Sequence, residues 1–464
     1  MCAGCGTGPS LGATISPFFR IFAAEMGNPE WMKLMRLAWP VVLGQLSQVA
    51  LSVIDSVMIG PLGADHLAAV ALSSGLFFVP MVCGMSLTFV MSPLTSMARS
   101  AGDEVALGKT LKNGFLLAWV VGILLVSTMY PATYLLHLLG QPERVVELAG
   151  PYLRIVTLSM LPIMVFQALR QFSEGLEIMF PPLVVGLIMI PLNIFGNWLL
   201  IHGNWGFPAM GLEGAAWATT LSRVLAAVVI MGIVAFGPRL RSFGLLLWRQ
   251  SDVCRATLLR ILRLGLPASV QYLAETSAFS LAALMIGRLG SVPLAAHQIA
   301  INLASISFMV AIGISSAGAI RIGQARGRGD LPAARLTGFT ALGLSAVFMG
   351  GCGLVFMALR HYLPSLYIQD SEVIEVASQL LIIAAAFQIA DGIQAVGVGL
   401  LRGMEDVRIP TLFVLMAYWV LALPLAWLLS RVFSLGVVGI WSALAVGLAC
   451  SALLLSLRFR NITR

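Results

Sequence analysis

Charge is what this sequence has least of. Of its 464 residues only 10% are charged, against 59% that are hydrophobic, whereas a soluble domain carries roughly 25% charged residues. So few charges cannot cover a chain of this length with water-facing groups, which excludes an ordinary soluble enzyme and a disordered protein. The net charge of +8 rests on 28 cations set in an oily chain, so it does not describe the basic patch of a nucleic-acid binder. Cysteine is scarce as well. The six at 2, 5, 83, 254, 352 and 450 are too few and too scattered for a disulfide framework. Cys2 and Cys5 form a lone C-x-x-C with no second pair and no nearby histidine. The five histidines (66, 137, 202, 297 and 361) show no ligand spacing, which argues against a zinc site or a histidine-based catalytic centre. The glycine-rich first 30 residues lack the long apolar run of a cleavable export signal and contain Arg20, Glu25 and Glu30.

Apolar runs of about 20 residues or more, each able to cross a hydrocarbon core of about 30 Å, fill the remainder. They fall near residues 37–59, 67–97, 113–137, 149–171, 180–202, 214–236, 261–287, 294–320, 336–359, 376–401, 410–431 and 437–457, twelve in all. Backbone groups in lipid must bond internally, so each run is expected to be a helix. The alternating pattern of an outer-membrane barrel is absent. The fold class is therefore an all-α integral membrane protein. An even number of spans puts both termini on one side, and the loops of that side hold most of the 28 cations. The exceptions are Arg144, Arg154, Arg223, Arg288, Arg360 and Arg431. The positive-inside rule then assigns both termini to the cytoplasm, with all five histidines at helix ends or loops of the opposite side.

The chain also repeats itself. Met58-Ile59-Gly60-Pro61-Leu62-Gly63 returns as Met285-Ile286-Gly287-Arg288-Leu289-Gly290, 227 residues later. The same offset pairs Pro40 with Pro267, Leu67-Ala68-Ala69 with Leu294-Ala295-Ala296, Ala98-Arg99 with Ala325-Arg326, and Gly102-Asp103 with Gly329-Asp330. Two six-helix lobes follow, spanning 34–236 and 258–459, with a basic linker at 237–257 and tails at 1–33 and 460–464. Six is even, so the lobes enter the membrane from the same face. They form a parallel repeat about an axis along the membrane normal, as in rocking transporters. Gly327-Arg328-Gly329-Asp330 fits the G-x-G-D pattern of intramembrane proteases, but its recurrence at Gly102-Asp103 marks it as a repeated turn.

A charge inside the bilayer costs about 2.5–3.5 kcal/mol on insertion scales, so acids within spans are candidate functional sites. Three stand out. Asp55 lies on the first span below Gln45, Gln48 and Ser52, spaced to share one helix face. Asn193 and Asn197 on the fifth span, with Thr219 near, are placed to meet it. Such a carboxylate among amide oxygens suits a proton or Na⁺. On the seventh span Glu275 follows Gln271 by one turn, and on the tenth Asp391 is flanked by Gln388 and Gln394. Two acids in one lobe can share a cation, since like charges close together resist joint ionisation. The repeat places no acid opposite any of the three, so the scaffold is symmetric and the acids are not. Pro40 and Pro267, near the starts of the first and seventh spans, are candidate helix bends.

These residues resemble the multidrug and toxic compound extrusion family, in its NorM-type bacterial branch. The likeness rests on Val53-Ile54-Asp55-Ser56-Val57-Met58-Ile59-Gly60, on Leu264-Gly265-Leu266-Pro267 followed by Glu275, and on Leu294-Ala295-Ala296-His297-Gln298. Phe387-Gln388-Ile389-Ala390-Asp391 and Leu401-Arg402-Gly403 complete it. The resemblance implies a V-shaped exporter in the bacterial inner membrane that exchanges H⁺ or Na⁺ for bulky, often cationic drugs. It implies no further cofactor, and partners limited to such drugs and membrane lipid around a monomer. It further implies an ion site at Asp55, Asn193 and Asn197 in the first lobe and a cation site at Glu275 and Asp391 in the second. Some relatives carry a tyrosine where this chain has Phe387, which removes a hydroxyl ligand. A flippase for lipid-linked precursors of the same superfamily would want cations in the cleft, where Arg154 and Arg223 are the helix-body candidates. An intramembrane enzyme would need paired catalytic groups, and a channel a filter-like loop or a symmetric charge ring. None is evident in the sequence.

Overall fold

The computed structural model describes residues 30–245 and 253–464. The tail with Cys2 and Cys5, and part of the basic linker, lie outside the described residues. Among the described residues twelve long helices follow one another. The first lobe holds α1 (Glu30–Leu62), α2 (Ala64–Ser100), α3 (Glu104–Leu138), α4 (Glu143–Gly175), α5 (Phe180–His202) and α6 (Gly211–Phe236). The second holds α7 (Arg255–Gly287), α8 (Ser291–Gly327), α9 (Leu331–Ala358), α10 (Ser371–Gly403), α11 (Arg408–Val432) and α12 (Gly436–Ile462). Eleven of the twelve are long and apolar enough to cross a membrane. The exception is α7, which has the length, at 33 residues, but carries Gln271, Tyr272, Glu275, Thr276, Ser277 and Ser280 along its second half.

Three pairs of matched residues in the repeat do the same physical work. Gly102 and Gly329 adopt φ of 71° and 73° in equivalent turns, a left-handed conformation that favours glycine. The next residue in each turn caps a helix: Asp103 accepts from the Ala106 amide at 2.8 Å and Asp330 from that of Ala333 at 2.9 Å. The matched arginines serve the other helix ends. Arg99 donates to the Leu176 carbonyl just past α4, and Arg326 to the Met404 carbonyl just past α10, where helix carbonyls lack intrahelical partners.

Two helices begin earlier than their apolar runs, α1 at Glu30 and α7 at Arg255. This places Pro40 and Pro267 well inside helices, not near their starts. Along α1 the packing partners change beyond the proline. Leu34, Leu37, Ala38 and Val41 belong to the apolar core of the second lobe, whereas Ile59 belongs to that of the first. His297 also differs from expectation: it is buried within α8, where its Nδ1 accepts from Trp441 Nε1 at 3.1 Å.

The lobes meet along α1, α2, α7 and α8, at the end of the molecule that carries the arginine-rich loops. Val90, Leu94 and Leu117 pack with Ile261, Leu264, Ala268 and Val407 there. Ser269 donates to the Cys83 carbonyl at 2.8 Å, and Arg321 clamps Glu30 through both carboxylate oxygens, at 2.7 and 2.8 Å.

Candidate functional site

In the first lobe, α1, α5 and α6 converge on Asp55. Asn197 Nδ2 donates to its Oδ1 at 2.7 Å, and Thr219 Oγ1 to its Oδ2 at 2.9 Å. Asn193 lies behind them, donating to Thr219 Oγ1 at 3.3 Å and accepting from Asn197 at 3.2 Å. The four residues are buried, and Asn197 Oδ1 has no donor. The i, i+4 spacing of the two asparagines puts both amides on the face of α5 that meets α1. Gln48 and Ser52 lie on an exposed face of α1, outside the hydrogen bonds of this cluster. Asp55 stands on the border between two faces of α1: a buried one with Gly44, Ser47 and Ile59, and an exposed one with Gln48 and Ser52.

In the second lobe the site spans α7, α10 and α11. Gln394 Nε2 donates to Glu275 Oε1 and to Tyr418 Oη, each at 3.1 Å. Asp391 faces Glu275 closely enough for electrostatic coupling. Gln388 turns to α8, donating to Ser307 Oγ at 2.7 Å, and Gln271 is buried with its Oε1 unbonded. Neither joins the carboxylates directly. Phe387 packs on Trp441, ring centroids 5.7 Å apart.

Tyr418 is the residue that sequence reasoning missed. Fully buried, it lies in a stretch of α11, Met416–Ala422, wound as a π-helix. Pro424, just beyond, has no amide hydrogen to offer the preceding turn, and wide turns of this kind occur mostly at functional sites. The signal available in sequence was a tyrosine six residues ahead of a proline in an otherwise apolar span.

What sets these acids apart is their partners. Glu30 is paired with Arg321, and Glu174 with Arg170 at 2.6 Å. Among the described residues no lysine or arginine lies within ion-pair distance of Asp55, Glu275 or Asp391. Of the helix-body cations that a flippase would require in the cleft, Arg154 rests on the Tyr134 ring and Arg223 on Phe77, bonded to Ser159, all within the first lobe. Among the described residues, the arginines buried between the lobes are Arg170 and Arg402.

Two repeated six-helix lobes with carboxylates held inside them define a multi-pass membrane transporter, not an enzyme. The MatE family model matches residues 40–199 and again 267–428, once per lobe and starting at the paired prolines, and the chain belongs to this family. It is 35% identical over 435 residues to the "Probable multidrug resistance protein NorM" of Rhizobium meliloti, covering 92% of each chain. To the like-named protein of Rhodopseudomonas palustris it is 38% identical over 442 residues, covering 94% of this chain and 92% of that one. A crystal structure described as MATE in the bent conformation superposes with a TM-score of 0.87 at 20% identity, covering 97% of this chain and 98% of that one. At that identity the likeness is one of fold.

Proposed function

We propose that the protein is a secondary antiporter that exports bulky, often cationic organic compounds in exchange for H⁺ or Na⁺, with both termini in the cytoplasm. The observation that carries this reading is the missing counter-charge. Three carboxylates sit in membrane helices among amides and hydroxyls with no basic side chain in ion-pair contact among the described residues; the Arg223 guanidinium acts on Asp55 without touching it, and no basic group acts on Glu275 or Asp391. Holding a charge there is costly unless a cation arrives, so a proton or Na⁺ from outside is their partner. Binding at Asp55 or at Glu275 and Asp391 changes the lobes' relative stability only if the two end states bind the cation unequally. The short contact zone at one end of the lobes is the part that would separate as they rock. The names of the NorM relatives favour drugs as the exported class, and the cations of the loops favour cytoplasmic termini.

The test is transport in proteoliposomes. A fluorescent organic cation should accumulate against its gradient when a pH or a Na⁺ gradient is imposed. Whichever gradient suffices names the coupling ion. Asp55→Asn, Glu275→Gln and Asp391→Asn should each cut gradient-driven accumulation at least about tenfold, the loss expected when about 1.4 kcal/mol of coupling disappears, with folding intact. Full accumulation by all three variants, or none by the wild type under either gradient, overturns the proposal.

A further inference from the structure

The charges buried between the lobes do not balance. Arg170 and Arg402 line one cavity of about 40 Å³, walled by residues of both lobes such as Gln45, Ser92, Tyr272 and Ser316. Arg170 commits its Nε to Glu174 at 2.6 Å. Its Nη groups lie against α1 at Gly44, where a Cβ would stand 3.1 Å from Nη2. Arg402 is buried too, with the Phe89 ring 5.4 Å from its guanidinium carbon and the Tyr272 hydroxyl in reach. A ring face and a neutral hydroxyl do not neutralise it. Among the described residues no carboxylate stands within ion-pair distance of Arg402, and its Nε has no hydrogen-bond partner. Two guanidiniums against one carboxylate leave one positive charge in a desolvated place, where an uncompensated ion is strongly unfavourable.

We propose that this cavity is an anion site, taking one small monovalent anion (a halide or the carboxylate group of a substrate) with Arg402 as its chief partner and Arg170 as the second. The size fits: 40 Å³ has room for roughly three waters, hence for a halide or a carboxylate group. Guanidinium N–H groups match a carboxylate or a halide alike. Glu174, held by Arg170, keeps the net charge at one and so limits the site to a single negative charge. The feature differs from the cation sites in sign and in lying between the lobes, and does not depend on which ion drives transport.

The test uses the purified full chain in detergent with no gradient, so that its outcome is separate from that of transport. Thermal unfolding is followed in sodium isethionate, a bulkier anion with no carboxylate group, against sodium chloride, bromide and acetate at fixed pH and ionic strength. The expected result is a saturable rise of about 2 °C with the small anions. Arg402→Gln should abolish the rise, Arg402→Lys should keep part of it, and Glu174→Gln should lower the concentration of anion needed for half the effect. Bromide soaked into wild-type crystals should give anomalous density beside Arg402. A response to acetate alone assigns the site to a substrate's carboxylate, and a response to halides alone to an inorganic anion. Equal unfolding temperatures in all four salts, or a rise that survives Arg402→Gln, overturns the proposal.

Discussion

At the scale of single residues, the Tyr418 hydroxyl offers the sharpest experiment. It shares Gln394 Nε2 with Glu275, so it sets where that amide points. Tyr418→Phe removes a hydroxyl that accepts from Gln394 Nε2 at 3.1 Å and donates to its Oε1 at 3.4 Å, each bond worth about 0.5–1.5 kcal/mol, and leaves the ring's packing on Phe279. Gln394 is then free to turn from the carboxylate. Transport by Tyr418→Phe should need several-fold more of the coupling cation for half-maximal rate, while its unfolding temperature stays within a few degrees of wild type. An unchanged cation dependence would remove Tyr418 from the site. The same comparison explains what could be read beforehand. Asp55, Asn193, Asn197 and Thr219 were visible because polar groups in oily helices are costly and helical spacing says which of them face together. Gln48 and Ser52 obey the same spacing yet lie exposed, because periodicity gives an azimuth on α1 and not the element that faces it. Tyr418 was hidden because a π-helical stretch breaks the 3.6-residue count that such reasoning uses.

At the scale of helices, the closeness of α8 to its neighbours in the first lobe depends on missing side chains. A Cβ on Gly323 would stand 2.6 Å from the Pro93 carbonyl oxygen, and one on Gly313 3.0 Å from that of Ala38. Backbone cannot yield as a side-chain tip can, so Gly323→Ala must push α8 off α2. Overpacking of this sort costs about 1–3 kcal/mol, and here the cost falls on the contact between the lobes, not on either lobe's own core. The expected outcome is faster proteolysis or cysteine labelling at the contact zone, with the helix content unchanged by circular dichroism. Labelling no faster than wild type would mean that the helices have slack the glycines do not need. The prolines carry a related lesson. Their pairing was readable, but their depth inside α1 and α7 was not, because Glu30–Leu37 and Arg255–Leu262 are amphipathic turns that hydropathy leaves outside the membrane run.

At the scale of the molecule, the question is what holds the lobes together at one end, and one answer is Glu30. Arg321 Nη2 reaches both of its oxygens, Nε adds a third bond at 3.0 Å, and Thr337 Oγ1 donates at 2.8 Å. Glu30 begins α1, whereas Arg321 and Thr337 belong to the second lobe. Gln324 extends the link, accepting from Arg321 at 3.0 Å and donating to Glu177 of the first lobe at 2.8 Å. Breaking one partner of a buried pair costs about 3–5 kcal/mol, because the remaining charge is left uncompensated. Each 1.4 kcal/mol is tenfold in an equilibrium constant, so Glu30→Gln should shift the balance between closed and parted ends by about 100-fold or more. Spin labels at Glu104 and Leu331, both exposed near the contact zone, would report it. Wild type should give one short distance, and Glu30→Gln a population at longer ones. Exchanging the charges, Glu30→Arg with Arg321→Glu, should restore much of the short distance, since the pair and not either residue carries the effect. If Glu30→Gln leaves the distances unchanged, the apolar contact of Val90, Leu94 and Ile261 is what closes this end, and the ion pair only lies beside it.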